Sequence, residues 1–543
     1  MSLINLLNIG KSAVFASQAA IVVTGNNIAN VNTPGYTRQE AILRTATPIV
    51  PVQGGYIGMG VTVSSIERRY DRFISGQLLG QEQNYGMSST MDQVLGQVEQ
   101  VFNDAGGAGL SGALNAFLDA WQSLSANPGD TAQRTVLLSD ANNFVITAKQ
   151  MESSILGTLK EANKAISDAA AQVNIIATDI SRLNAQIVQI ESGGGGAKAN
   201  DLRDARDKLV TQLSGLVDIG TLEDKNGSLT VTVGMRTLVD REIVNPLTAR
   251  QNVAGDASLS LDGVDVTSRI TKGSLGGLLA SRDAVASGSL ADLRRLAAAV
   301  TNEMNQLHST GVGLDGTTGN DFFAPLSLSS TDASAGADVT SATITDPSAL
   351  SLSDYSISIG AGNAYSVTNR DSGAVVAAGA YVSGNPIAFD GIRVVLTGTV
   401  SAGDAFTVSP LTGAISNFGV AVTDPRKIAA ASDPAAVPGD NTNALRIAGL
   451  ANAAVSSLGG ATFSGYYSGL VADVGKLARN ASDMQQFDAN LRSELLNRRD
   501  SVSGVSLDEE ATNLLSYQRA YEAGARIIRV TDELFQTVLQ MFP

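Results

Sequence analysis

Apolar residues recur at helical spacing over most of the chain and at strand spacing in three places. Residues 3–31 predict an amphipathic helix, with Leu3, Leu7, Val14, Ile21, Ile28 and Val31 near heptad positions and Ala13 and Ala20 widening the stripe. Pro34 and Gly35 stop it. Strand-like alternation between glycines follows from Ala41 to Arg69, predicting a small hairpin region. The helical rhythm returns from Met87 to Ala126 and dominates from Thr131 to Glu191. Between Ile155 and Ile190 in that run, eleven apolar residues (Ile155, Leu159, Ala162, Ile166, Ala169, Val173, Ile176, Ile180, Leu183, Ile187 and Ile190) alternate spacings of four and three, the pattern of a coiled-coil seam. The glycine run at 193–196 permits a reversal, after which Leu202, Ala205, Leu209, Leu213 and Leu216 begin a returning helix.

Residues 218–270 switch to period two around an Asn226-Gly227 turn, which predicts a hairpin inserted in the helical part. A helix is expected over Gly273 to His308. From Leu326 to Val420 only nine residues are charged, and short alternating runs are separated by turn residues, so this stretch reads as an all-β domain. Helices are expected to resume at Asp424-Pro425, an N-cap followed by proline at the first helical position. Further long helices are expected over Phe463 to Arg499 and from Ser506, where SLDE has the capping-box arrangement, to Phe542. The organisation is nested. Residues 1–45 with 504–543 form a terminal-helix unit, 46–325 with 421–503 a helical domain, and 326–420 an outer β domain. The fold class is α+β multidomain: coiled-coil-like terminal helices, a bundle of long helices with an inserted hairpin, and a separate all-β outer domain.

Composition narrows the function. At 543 residues the chain exceeds the roughly 100–200 residues of one domain. Aromatics are scarce, with Trp121 the single tryptophan, which favours elongated modules over one deep core. A net charge of −15 argues against a phosphate-binding surface and so against nucleic acid. Without cysteine there is no disulfide framework and no thiolate chemistry. No stretch reads as a transmembrane span, so membrane insertion is not expected. The N-terminus lacks the positive n-region of a cleaved signal, and Asn5, Asn8, Gly10 and Lys11 interrupt its apolar stretch.

No catalytic constellation emerges. GVGLDG at 311–316 fits a dinucleotide fingerprint by spelling but follows a predicted helix, where the fingerprint follows a strand. His308 is the only histidine, so neither a histidine metal cluster nor a serine–histidine pair is evident. LDGTTGND lacks the ligand spacing of a calcium loop. Asp508, Glu509 and Glu510 fall in a first helical turn, where they complement the helix dipole. Catalytic residues, cofactor and metal are all expected to be absent.

What remains is the polar run NNIANVNTPGYTRQE at 26–40, which closes an apolar helix with Asn26, Asn27, Asn30 and Asn32, turns at Pro34 and Gly35, and continues with Tyr36 and Arg38. Asparagine amides cap helix ends or bond neighbouring backbone. From these residues alone two readings stand: an inter-helix loop in a monomer, or the exit turn of a helix used in assembly. The run resembles the N-terminal motif of the flagellar rod, hook and hook-associated axial proteins, and LDEEATNLLSYQRAYEAGARIIRVTDELFQTVL at 507–539 resembles their C-terminal motif. MNQLHSTGVGLDGTTGNDFF at 304–323 and PGDNTNALRIAGL at 438–450 are similar to segments of the hook-associated members. The resemblance covers the helical parts, about 1–325 and 420–543, is weak over 218–270 and is absent over the β stretch.

The resemblance implies a structural subunit at the junction of hook and filament, polymerising through its N- and C-terminal helices. Implied partners are further copies of itself in a ring, the hook protein, a second junction protein, and an export chaperone on the C-terminal helix. It implies an extracellular place in the flagellum, reached by type III export without a cleaved signal. Leu7, Val14, Ile21 and Ile28, with Leu514, Tyr521, Ile528 and Phe535, are the expected terminal-helix contacts. Alternatives are a hook or distal-rod subunit, or a β-tipped adhesin or phage-like fibre.

Overall fold

The computed structural model describes residues 3–46, 50–52, 55–103, 109–193, 197–252, 255–332 and 336–541. Phe542, in the expected last helix, and 194–196, in the expected reversal, lie outside them. Ten α-helices occur among the described residues: α1 (Leu3–Ala29), α2 (Arg72–Val101), α3 (Leu110–Ala126), α4 (Thr131–Glu191), α5 (Asn200–Leu216), α6 (Gly273–Ala284), α7 (Ala291–His308), α8 (Thr442–Gly449), α9 (Phe463–Ser503) and α10 (Leu507–Met541).

Local chemistry sets several boundaries. The Asp71 carboxylate accepts from the amides of Phe73 and Ile74 and starts α2 at Arg72, well before the expected Met87. Glycines at 76, 80 and 86 dilute the apolar rhythm of that first half. Asp130 caps α4 through the amide of Ala132, and the helix runs its expected 61 residues. Asp424 also caps as expected, but only a 3₁₀ turn, Pro425–Lys427, follows it, and helix resumes at Thr442. The expected capping box before α10 is redirected: Glu509 pairs with Arg38. Between α6 and α7 the chain takes one π-helical segment, Val285–Leu290.

The apolar seam of α4 is buried, but not against a second helix of matching length. Met151 and Ile155 belong to one apolar cluster, while Ala162, Ile166, Val173, Ile176 and Ile180 belong to another built from α5, α6 and the 219–266 strands. A straight helix drifts about 20° per heptad from a strict seven-residue repeat. Accordingly Ala170, midway along the seam, and Asn184, near its end, are buried, while Ile190 is exposed. Asn184 is useful there, since its amide donates to the carbonyls of Leu229 and Arg241 and accepts from the Leu229 amide.

The expected hairpin at 218–270 is larger. A four-stranded antiparallel sheet (Ile219–Glu223, Leu229–Val233, Arg236–Asp240, Ile243–Val244) is followed by a three-stranded one (Leu247–Gln251, Ala257–Leu261, Val264–Asp265). Strands within 329–409 form a five-stranded and a three-stranded antiparallel sheet. Their inner faces, including Tyr355, Ile357, Phe406, Val394 and Leu396, join the first apolar cluster. That cluster continues through Phe418 into an aromatic knot of Phe117, Trp121, Phe144, Phe322 and Phe323 between α3, α4 and the chain after α7.

The lone histidine sits at this knot, fully buried. His308 Nε2 accepts from the Ala429 amide at 2.9 Å, and Nδ1 lies 2.7 Å from the Asn320 carbonyl. This geometry requires a neutral ring protonated on Nδ1. Arg134, 1% exposed, is solvated by carbonyls: it donates to Pro128, Pro425 and Ile428. Burial lowers its pKa to about 10, with Asp315 acting the other way.

Candidate assembly site at the paired chain ends

α1 and α10 lie against each other and run antiparallel, with Gly10 near Ile527 and Ile528 at one end and Asn27 near Glu510 at the other. The seam is made of small residues. On α1, Gly10, Ala16, Ser17, Ala20, Val23, Thr24 and Asn27 are buried, and on α10 Glu510, Gly524 and Thr531. A Cβ on Gly524 would stand 3.0 Å from Val14 Cγ2, and one on Gly10 would stand 3.0 Å from Ile528 Cγ1. The backbones approach as closely as glycine allows. Of the larger apolar residues singled out from sequence, Val14 and Ile528 pack onto these glycines; with Leu7, Ile21, Ile28, Leu514 and Phe535 they are half-buried, and Tyr521 is exposed. Outside the seam, Ile4, Phe15 and Val22 of α1 and Leu515, Val530, Leu534, Val538 and Leu539 of α10 are exposed.

At 27 residues, α1 is also long and apolar enough to cross a membrane by length and composition, contrary to the sequence reading. Here its small-residue face is occupied by α10.

The N-terminal polar run folds back on itself and onto the start of α10. Asn30 donates to the Asn26 carbonyl, the Thr33 amide to the Asn30 carbonyl, and the Tyr36 amide to the Thr33 carbonyl. Gly35 at φ +88° lets the chain reverse. Asn27, 1% exposed, is the hub. Its Nδ2 donates to the Gln39 carbonyl and to Glu510 Oε2, while its Oδ1 accepts from the Gln39 amide and the Tyr36 hydroxyl. Asn26 Nδ2 reaches the Tyr36 oxygen at 3.3 Å. Arg38 donates through Nε to Glu510 Oε1 at 2.7 Å and through Nη1 to Glu509 Oε2 at 2.8 Å. Asn32, Pro34 and Gly35 are exposed. Burial, with Asp201, Asp204 and Glu510 nearby, pushes the Tyr36 phenol up, so it stays protonated as a donor.

Residues passed over in the sequence complete the site. Gln39–Thr45 pairs with Val61–Arg68 as an antiparallel ribbon, and Arg68 at its far end bridges to α5, reaching Asp204 at 2.6 Å and Asp207 at 2.9 Å. Asp204 also accepts from the Thr37 amide, and Asp201 from Gln39 Nε2. Burial pushes the Asp204 carboxyl up, while Arg68 and the Thr37 amide pull it down. The available signal was the spacing of Asp201, Asp204 and Asp207, three apart and therefore on one helix face.

Removing the Tyr36 hydroxyl tests the hub gently. Tyr36→Phe is expected to destabilise the end of α1 by about 1 kcal/mol, the net worth of one hydrogen bond. Amide exchange over residues 24–30 would read this, with faster exchange expected there and unchanged exchange in α4.

Comparison with known proteins identifies the architecture. The chain matches the family profile for the flagellar hook-associated protein FlgK helical domain over 95–323, and that for the D2-like domain of flagellar hook-associated protein 1 over 328–410. Its ends match flagellar rod profiles, at 7–37 for the basal body rod protein and 499–541 for the rod FlgEFG C-terminus. It is 33% identical to flagellar hook-associated protein 1 of Salmonella typhimurium and 31% identical to that of Escherichia coli, in both cases over 99% of this chain and 100% of the relative. The chain belongs to the flagellar hook-associated protein 1 family. The flagellar hook junction protein FlgK from Burkholderia pseudomallei shares the fold at a TM-score of 0.69 and 21% identity, over 79% of this chain and 100% of that one. Members of the hook-associated protein 1 family are structural proteins of the flagellum, and this chain is a flagellar structural protein, not an enzyme.

Proposed function

We propose that this chain forms the junction between hook and filament, polymerising side by side through the α1–α10 pair. The observation that carries the reading is the full-length identity to hook-associated protein 1 combined with the apolar surface of that pair. Phe15 and Val22 on α1, and Val530, Leu534 and Val538 on α10, face water on helices whose own seam is already filled. Apolar surface of this kind marks a protein contact, and copies of the same pair in a ring would cover it. In the ring, residues 1–45 with 504–543 form the inner assembly unit, 46–325 with 421–503 surround it, and 326–420 stand outermost. One rim meets the hook protein and the other a second junction protein. Before assembly the apolar side of α10 needs cover, the role of an export chaperone during type III passage without a cleaved signal.

The test is deletion of the gene, followed by electron microscopy of the cells and immunoblotting of the medium. Bare hooks and flagellin spilled into the medium are expected. Missing hooks would move the subunit to the rod or hook, and normal filaments would overturn the junction reading.

A further inference from the structure

Neither of the two large apolar clusters contains a residue from 3–71 or 504–541. The two clusters extend through α2 to α9 and the strands between 219 and 408, so the paired chain ends stand outside the continuous apolar core. The contacts that fix them to α5 and the end of α9 include a compact polar set. The Thr37 amide donates to Asp204 at 2.8 Å, and Arg68 bridges Asp204 and Asp207. Gln39 joins Asp201 at 2.7 Å and accepts from Asn200 at 3.3 Å. Asn200 also holds the Ile66 carbonyl, and the Arg38 amide donates to the Ser503 carbonyl at 2.9 Å. Asp204 is the only one of these acids that meets both the motif backbone and the ribbon arginine, and it is 7% exposed.

Apolar packing tolerates sliding and rotation, whereas hydrogen bonds, and charge-assisted ones above all, hold a direction. Breaking one partner of a buried charged pair leaves the other unpaired and costly. We infer that Asp204 is a positioning residue: from α5 it sets the angle at which the α1–α10 pair leaves the rest of the subunit, and so the angle at which neighbouring copies meet. The inference rests on the proposed polymerisation through that pair. It assigns the N-terminal motif an inward task, since Asn27, Thr37, Arg38 and Gln39 spend their hydrogen bonds within one subunit and leave Asn32, Pro34 and Gly35 exposed.

The chain has no cysteine, so paired spin labels can be placed cleanly. On the full chain, labels at Gln18→Cys of α1 and Ser167→Cys of α4 span the boundary, and labels at Ser167→Cys and Ser468→Cys of α9 report the rest. Asp204→Ala is expected to broaden the first distance distribution at least twofold and leave the second unchanged. Arg68→Gln, which leaves α5 intact, is expected to do the same. Cells carrying Asp204→Ala are expected to show bare hooks. An unchanged first distribution in both variants, or an equally broad one in the parent chain, overturns the positioning role whatever the filaments do. Broadening with normal filaments would keep that role and sink polymerisation through the α1–α10 pair.

Discussion

Replacing Gly524 by leucine is expected to abolish filament attachment while the bulk of the subunit stays folded. At this position even a Cβ lies 3.0 Å from Val14 Cγ2, 3.2 Å from the Val14 amide nitrogen and 3.3 Å from Ala13 Cβ. Those contacts are tighter than van der Waals separation by a few tenths of an ångström, so alanine demands a small shift of α10. Overpacking of this sort costs about 1–3 kcal/mol. Leucine adds three more carbons between two backbones, and the helices must part. Gly10 opposes the same point: a Cβ added there would lie 3.3 Å from the Gly524 carbonyl oxygen, so α1 has no slack to absorb the change. Because the terminal pair belongs to neither large apolar cluster, its loss leaves those cores in place. The checks are thermal unfolding followed by the single tryptophan, Trp121, and filament counts by microscopy. Unchanged Trp121 unfolding with bare hooks is expected for Gly524→Leu, and a weaker assembly defect for Gly524→Ala. Wild-type filament numbers with leucine at 524 would show that the seam is not used in the assembled subunit.

Acid is expected to destabilise the central core through His308. Burial holds its imidazole down at about 4, the Asn320 carbonyl pulls it up, and Arg134 adds a further push down. The reference value is 6.5. Between these values the unfolded chain takes up a proton on this ring and the folded chain does not. Stability is therefore full above pH 6.5, falls as pH falls towards 4, and loses about 3 kcal/mol over that window. The geometry agrees with burial as the main cause: the Ala429 amide points at Nε2 from 2.9 Å and would meet a second N–H if the ring were charged. Denaturant midpoints at pH 7 and pH 4.5 measure the effect. His308→Gln, which has no proton to gain, is expected to be less stable at pH 7 and to lose markedly less on acidification. Equal losses for parent and variant would assign the acid sensitivity to carboxylates instead.

The sequence alone determined much of the helical layout. The limits of α4 follow from a capping Asp130 and an unbroken apolar rhythm, both set within a few residues of each other. The same holds for the turn at Gly35 and the reversal from helix to ribbon after it. Period two also marked the strands at 229–233 and 257–261, where alternate residues are buried. Short-range rules were enough because capping and periodicity act over one or two turns of chain. They failed where the local signal was weak: α2 begins among glycines, and the Asp424 cap has only a 3₁₀ turn to cap.

Only the tertiary structure decided which faces meet. Leu183 carries the heptad position, yet Asn184 is the buried residue, because a straight helix rotates its seam against a partner that does not supercoil with it. The larger apolar residues of the terminal helices gave only half of the contact: Val14 and Ile528 pack onto Gly524 and Gly10, small residues that periodicity does not single out, since close backbone approach selects for small side chains. Arg38 and Glu510 stand 472 residues apart, and Arg68 and Asp204 stand 136 apart. Each is an ordinary charged residue in its own segment. A charge has no periodicity to declare its partner, so each pairing exists only once the chain has returned and set the N-terminal motif and its ribbon against α10 and α5.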